Sequence, residues 1–347
     1  MSIDVSKINS YSEQFGINED EVIRIAVDEA FIRRAALVDG PFMLKGSHVT
    51  RQYLREGWRR IPADLDWVGL GALDAKELTK WVTAVTEVEL DDGIRFRSFS
   101  ENAFWRKIDY AMDDDFPTVN TDLLAWVGEA PIEIAAMDVS FGLKLQPPPR
   151  RLAYRPLFGE AFDVPRSCAL ELQIAWKLHQ CLARPRFKDL LDLILLLRDN
   201  AVDSALIWHA LEDECRHDGT PIARFNWLLD CAIGLHPHWR SMQSAAHSAE
   251  EYFPTWRNTG VGKRPVYWVE SELAVIYIEG NDLPRDFANF LAELADRLKG
   301  AGFVHLVLDG PAAASGPPPT KENAAAPVEQ AKPKGIGRVL RRWIGRG

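Results

Sequence analysis

Two carboxylates one residue apart, Asp64 and Asp66, lie at the start of a predicted β-strand over residues 65–70. Because side chains alternate between the two faces of a strand, both carboxylates project to the same side. A third acidic residue, Asp138, lies on a predicted strand over residues 132–141. If the two strands are neighbours, three carboxylates converge on one face and can hold the metal ions of a transfer reaction.

A Gly-Ser turn, Gly46-Ser47, precedes the paired carboxylates and opens a predicted helix over residues 48–56. Such a turn offers backbone N–H groups and a hydroxyl to a phosphate at a helix N-terminus. Ser47 can also cap the helix, and the two roles are compatible. Lys45, directly before the turn, faces either a phosphate or solvent. The ordered combination predicts a site for a nucleoside triphosphate and Mg²⁺.

The composition is ordinary for a soluble globular protein and argues against uniform coating of nucleic acid. The chain has 347 residues, of which 47% are hydrophobic and 26% charged, and its formal net charge is −9. This length suits one large domain or about two to three ordinary ones. A local basic groove remains compatible with the acidic balance. The candidates to line such a groove are Arg51, Arg55, Arg59, Arg60 and Arg106.

The chain lacks the sequence signals of export and membrane insertion. No uninterrupted apolar run approaches the ~20 residues that span a bilayer. The first residues lack the basic-then-apolar order of a signal peptide. The four cysteines show no Cys-x-x-Cys spacing, which favours buried small apolar residues over a metal site or disulfides. We therefore expect a cytoplasmic protein.

Changes in composition predict an α+β protein in four parts. A run of three prolines at residues 147–149 interrupts regular structure and marks the first boundary. Periodicity within the third part predicts a helix over residues 287–298 and a closing strand over 303–308. The parts are a catalytic domain over residues 1–150, a helical domain completing the site over 151–257, a small α/β segment of unknown role over 258–310, and a disordered linker with a basic amphipathic end over 311–347.

Four segments match the motifs of one known family, in that family's order. In chain order they are residues 44–51, residues 60–66, residues 138–142, and the pair 171–177 with 186–193. The first looks like its LKGGTALR segment, with Ser47 for the second Gly, and the second like its RxSxDLD segment, with Pro62 for Ser. The third is similar to its strand with a third carboxylate, and the last to its paired helices. Over roughly residues 17–240 the chain thus resembles the AbiEii/AbiGii toxin family of nucleotidyltransferases, which act in type IV toxin–antitoxin systems.

The resemblance implies a small mixed nucleotidyltransferase sheet with helices, followed by a helical domain. It implies a Mg²⁺-dependent enzyme that moves a nucleoside monophosphate from a triphosphate onto a macromolecule, with tRNA or another RNA favoured. A cognate antitoxin protein is the implied partner. The implied catalytic residues are Asp64, Asp66, Asp138 and Lys177, the first three of them as metal ligands, and the implied nucleotide-binding residues are Lys45, Gly46, Ser47, Arg51, Asp189 and Asp192.

Several of these side chains also have simpler interpretations. Lys177 can pack its stem on apolar surface with its amine in water instead of binding phosphate. Lys188 and Asp192 have the i, i+4 spacing of a salt bridge on a helix. Arg51 and Arg60 can bind triphosphate or pair with surface acids.

Two other functions remain open at this point. One is a protein-modifying nucleotidyltransferase whose C-terminal extension recruits a protein target. The other is a catalytically silent binding module on the same fold, against which the intact carboxylates argue. The basic end, residues 334–347, suits an anionic membrane surface, RNA or a partner protein, and equally a tail without a dedicated role.

Overall fold

The computed structural model describes residues 3–57, 60–62, 64–108, 117–236, 255–258, 265–269, 274–277 and 287–307. Met1–His305 forms one compact unit, and Leu306–Gly347 is a separate unit of which only the first two residues are described. The expectations for Arg59 and for residues 311–347 lie outside the described residues. The proposed boundaries near residues 150 and 257 stay predictions.

Runs of strands are followed by runs of helices along the chain, which confirms the predicted α+β class. The helices of the described ranges are α1 Val5–Phe15, α2 Glu19–Leu37, α3 Gly46–Tyr53, α4 Ala75–Thr86, α5 Leu170–Ala183, α6 Phe187–Asp199, α7 Ser204–Asp218, α8 Phe225–Leu229 and α9 Phe287–Gly300. The strands are β1 Phe42–Leu44, β2 Arg60–Ile61, β3 Leu65–Gly69, β4 Ile94–Phe96, β5 Arg106–Ile108, β6 Thr118–Val127, β7 Ala130–Ser140, β8 Arg150–Tyr154, β9 Phe162–Ser167, β10 Thr255–Asn258, β11 Pro265–Val269 and β12 Ala274–Tyr277.

The main sheet contains both parallel and antiparallel pairs, and β3, the strand that carries Asp66, lies near the centre of the sheet. Its order is β4-β6-β7-β3-β1-β9-β8, with β5 also paired to β6. The pairs β3–β7 and β1–β9 are parallel, and the other pairs are antiparallel. A second sheet has the order β10-β11-β12-β2. Strand β12 of the predicted α/β segment therefore pairs with β2, the strand just before Asp64.

Helix α2 covers the main sheet and begins where local chemistry predicts. The Asn18 side chain accepts a hydrogen bond from the Asp20 N–H, and three acidic residues fill the first turn. Phe31 on this helix is fully buried and meets Trp67 and Trp81 edge-on. Trp67 therefore belongs to an aromatic core on the face of β3 opposite Asp66.

Two expectations from the sequence are wrong in detail. Phe303–Val307 forms no strand, because Gly302 (φ 93°) ends α9 and the Phe303 N–H bonds back to the Leu298 carbonyl in a Schellman cap. Cys231 is exposed, although the other three cysteines are buried. Strand β6 was not predicted at all.

Within the described residues, no helix is both long and apolar enough to cross a membrane.

Candidate active site

The parallel pairing of β3 and β7 brings three carboxylates together. Asp66 lies directly opposite Asp138 in the strand register, and Asp64 stands just before β3. One oxygen of each carboxylate lies within 4.8 Å of the others. This confirms that the strand of Asp138 lies beside the strand of the paired aspartates. We call Asp64, Asp66 and Asp138 the aspartate triad.

Lys45 binds the middle member of the triad rather than solvent. Its Nζ donates to Asp66 Oδ1 at 3.0 Å, and its backbone N–H donates to the Asp66 carbonyl at 3.0 Å. Burial disfavours the charged amine, but the charge of Asp66 and the hydrogen bond outweigh it and raise the pKa of Lys45. Burial would likewise raise the pKa of Asp66, yet Lys45 outweighs it, and that pKa lies below its ordinary value.

Asp64 has the opposite titration behaviour, although it is only two residues away. The neighbouring charge of Asp66, followed by burial, raises the pKa of Asp64 to about 7. Lys188 partly opposes this shift. In the metal-free protein, one member of the triad therefore keeps its proton up to near-neutral pH.

Removing the Asp64 charge should stabilise the metal-free protein at alkaline pH. Because its folded pKa is raised, wild-type stability falls as pH rises from about 4 to about 7, whereas Asp64→Asn escapes this loss. We expect the variant's advantage to grow by roughly 1–2 kcal/mol between pH 5 and pH 8, after allowance for solvent screening of a half-buried group. Urea unfolding in EDTA measures it, and an advantage independent of pH would contradict the proposed titration.

Gly46 allows the turn to approach Asp66 closely. Its φ is +74°, and a Cβ at this position would collide with the Asp66 carboxylate. The Gly46 carbonyl accepts hydrogen bonds from Gln173 Nε2 at 3.1 Å and from Thr50 Oγ1 at 3.2 Å. Helix α5 thus holds the turn against the triad, and only glycine suits the position.

The buried hydroxyl of Ser47 is unsatisfied within the part of the chain that the structure describes. The residue is 8% exposed, and its Oγ has no hydrogen-bond partner among the residues that the structure describes. It does not cap α3, whose N-cap position is Lys45. Buried hydroxyls are rarely left unpaired, so this group suits a ligand oxygen.

A buried ion cluster joins β2 to helices α5 and α6. Asp192 is 0% exposed, and it accepts from Arg60 Nε at 2.8 Å and from Lys177 Nζ at 2.6 Å. Lys177 also lies 3.6 Å from Asp189, which accepts from Arg186 Nε at 2.6 Å. Burial opposes ionisation of Asp192, but Arg60 and Lys177 hold its pKa below the ordinary range. Lys177, Asp189 and Asp192 are thus brought together, as the motif pairing implies.

Arg51 lies in a different network. Its Nη1 donates to Glu29 Oε1 at 2.8 Å, and its Nε donates to the Gly57 carbonyl at 3.0 Å. Tyr154 also donates to the same Glu29 oxygen. These contacts are structural, and a nucleotide contact by Arg51 stays a prediction.

Three polar residues at the site were absent from the predicted set. Asn120 donates to Asp138, Gln173 holds Gly46, and Lys188 acts electrostatically on Asp64. Burial, and then the charge of Arg186, lower the pKa of Lys188. Lys188 was visible in the sequence as part of the Arg-x-Lys-Asp-Leu segment, whereas Asn120 gave no signal because β6 was missed.

Two solved structures superpose on the chain at low sequence identity. No curated protein sequence matches the chain. MenT4, a nucleotidyltransferase toxin from Mycobacterium tuberculosis, superposes with a TM-score of 0.49 and 14% identity, covering 86% of this chain and 90% of its own. A protein from H. pylori described as a candidate nucleotidyltransferase gives a TM-score of 0.41 and 14% identity, covering 82% and 95%.

A family model settles the family. The model described as nucleotidyl transferase AbiEii toxin of the type IV toxin–antitoxin system matches residues 18–296, which is most of the chain and includes every predicted site residue. The chain belongs to the AbiEii family of nucleotidyltransferase toxins.

Proposed function

We propose that this protein is a Mg²⁺-dependent toxin that transfers a nucleoside monophosphate from a nucleoside triphosphate onto RNA, with tRNA as the leading acceptor. The observation that carries the proposal is the convergence of the aspartate triad beside the Gly46-Ser47 turn. Nucleotidyl transfer needs this combination, because it requires carboxylates for metal and a turn for phosphate.

The donor set fits a hard divalent cation. All three side chains of the triad offer carboxylate oxygens, which are the ligands that Mg²⁺ prefers. Asp64, Asp66 and Asp138 would hold the ion, which supplies charge neutralisation at the phosphate oxygens. The near-neutral pKa of Asp64 means that cation binding displaces a proton, so affinity should rise with pH up to about 7.

The remaining residues bind and orient the triphosphate. The turn and the unpaired Ser47 hydroxyl suit the oxygens of its β- or γ-phosphate. Lys177, held by Asp189 and Asp192, would supply a positive charge to the triphosphate. An acceptor hydroxyl attacks the α-phosphorus, the new P–O bond forms as the bond to the bridging oxygen breaks, and pyrophosphate leaves while the hydroxyl proton passes to solvent.

An RNA acceptor would contact exposed basic residues. Of the predicted groove residues, Arg51 and Arg60 are buried in ion pairs, and Arg55 is exposed. Arg106, at the β5 end of the sheet, has a half-exposed side chain (50%). Arg55 and Arg106 are therefore the described candidates for contact with an RNA backbone.

The family assignment supports a cognate antitoxin as protein partner. A cytoplasmic location agrees with the proposed substrates, since nucleoside triphosphates and RNA occur together there. A protein acceptor is the second candidate, because the site chemistry is the same for any hydroxyl. The roles of residues 258–310 and 311–347 in recruiting either acceptor are part of this proposal.

Label transfer tests the proposal directly. Purified protein and Mg²⁺ are incubated with total RNA or with cell protein and with each triphosphate, labelled at the α-phosphate in turn. The Asp64→Ala/Asp66→Ala variant removes two members of the triad. Asp163→Ala, which removes an exposed carboxylate from β9, is the matched control.

We expect label in RNA with wild type and with Asp163→Ala, and none with the double variant or with EDTA. Label in protein instead would replace the RNA acceptor by a protein acceptor. Label that is equal in the double variant would reject the triad as the catalytic centre.

A further inference from the structure

Four polar residues form a single row across four strands of the main sheet. Arg106 on β5 lies opposite Asn120 on β6, Asn120 lies opposite Asp138 on β7, and Asp138 lies opposite Asp66 on β3. Residues directly opposite each other in a sheet share a face, so Arg106 and Asn120 lie on the same face as Asp138 and Asp66 of the aspartate triad. Asn120 is 7% exposed, which makes its hydrogen-bond partners important for stability.

The hydrogen bonds along this row fix the orientation of the Asn120 amide. Arg106 Nε donates to Asn120 Oδ1 at 3.0 Å, and Asn120 Nδ2 donates to Asp138 Oδ1 at 2.5 Å. A guanidinium can only donate and a carboxylate can only accept, so the amide oxygen must face Arg106. Arg106 is itself held by Asp122 at 2.6 Å.

We propose that Asn120 is a positioning residue for Asp138. By binding Oδ1, it fixes the rotation of the Asp138 carboxylate and so the direction in which that carboxylate faces Asp64 and Asp66. The inference rests on the proposed metal-binding role of the triad. In this proposal the neutral Asn120 amide orients Asp138, the third metal ligand. Arg106 in turn orients the Asn120 amide.

A neutral donor suits this position for an electrostatic reason. Lys45 places a full positive charge on Asp66, which weakens the attraction of that carboxylate for a cation. The Asn120 amide restrains Asp138 through a hydrogen bond without cancelling its charge. Residues that orient metal ligands in this way typically change metal affinity by about 10–100-fold when they are removed.

The test is Mn²⁺ binding to the nucleotide-free protein. Electron paramagnetic resonance of the free ion measures how much Mn²⁺ remains unbound. We expect Asn120→Ala to raise the dissociation constant about 10–100-fold. Arg106→Met, at a half-exposed position that tolerates change, should raise it by a smaller factor of about 3–10, because the amide can then rotate.

Thr118→Val is the matched control. Thr118 lies two residues before Asn120 in the same β6–β7 ladder, is 4% exposed, and donates to Ser140 Oγ at 3.1 Å. The substitution removes a buried cross-strand hydrogen bond of the same kind without touching the triad. We expect Mn²⁺ affinity within about twofold of wild type.

The outcomes separate this inference from the proposed function. If wild type binds no Mn²⁺, or if Asp138→Asn does not abolish the Mn²⁺ binding of wild type, the proposed metal site fails. If wild type binds Mn²⁺ and both Asn120→Ala and Arg106→Met bind it equally well, the positioning role is overturned and the metal site stands. If Thr118→Val weakens binding as much as Asn120→Ala, the effect is general sheet damage and the inference is overturned.

Discussion

Replacing Asp192 by asparagine is expected to lower the free energy of unfolding by about 3–5 kcal/mol, because two buried cations lose their shared carboxylate. Arg60 Nε and Lys177 Nζ lie 2.8 and 2.6 Å from its two oxygens, and Asp192 is 0% exposed. Urea unfolding at pH 7 in EDTA measures the loss. The depressed pKa of Asp192 keeps the wild-type contribution intact until the pH falls below about 4.

The exposed pair of Arg151 and Asp163 gives the control for this prediction. Its side chains are 72% and 55% exposed, so Asp163→Asn should cost less than about 0.5 kcal/mol. Adding Arg60→Met to Asp192→Asn should recover part of the stability, because one unpaired cation is removed. A cost for Asp192→Asn no larger than that of Asp163→Asn would contradict a buried ion cluster.

The Asp192 contacts show where local sequence patterns stop being informative. Spacing along a helix favours Lys188 as the partner of Asp192, because i and i+4 share a face. In the structure, the described partners of Asp192 are Lys177 on α5 and Arg60 on β2. Arg51 similarly pairs with Glu29 on a separate helix. Long-range ion pairs depend on tertiary packing, and no periodicity encodes them.

Strand parity, in contrast, made the centre of the site predictable. Alternation alone put Asp66 and Asp138 on defined faces, and only the adjacency of their strands had to come from the structure. Strand β6 escaped prediction because Asn120 and Asp122 are residue types that strands disfavour. They are tolerated there because that face meets the site and Arg106 pairs with both.

Gly46→Ala should reduce nucleotidyl transfer by at least about 100-fold, since misplacing a reacting group by 1 Å already costs about that much. The new Cβ would collide with the Asp66 carboxylate, which must then rotate away from Lys45 and from the triad. The φ of +74° adds backbone strain of about 1–2 kcal/mol. Initial rates of label transfer at saturating Mg²⁺ and triphosphate measure the loss.

Gly219→Ala separates the collision from the strain. Gly219 has nearly the same φ, +75°, but no atom of the described residues lies within 4 Å of a Cβ built there. Both variants should therefore lose similar backbone stability, whereas only Gly46→Ala should lose transfer and Mn²⁺ affinity. If Gly46→Ala transfers label at the wild-type rate, the turn does not hold Asp66 in its catalytic position. If Gly219→Ala loses transfer equally, the loss comes from reduced stability and not from the contact between Gly46 and Asp66.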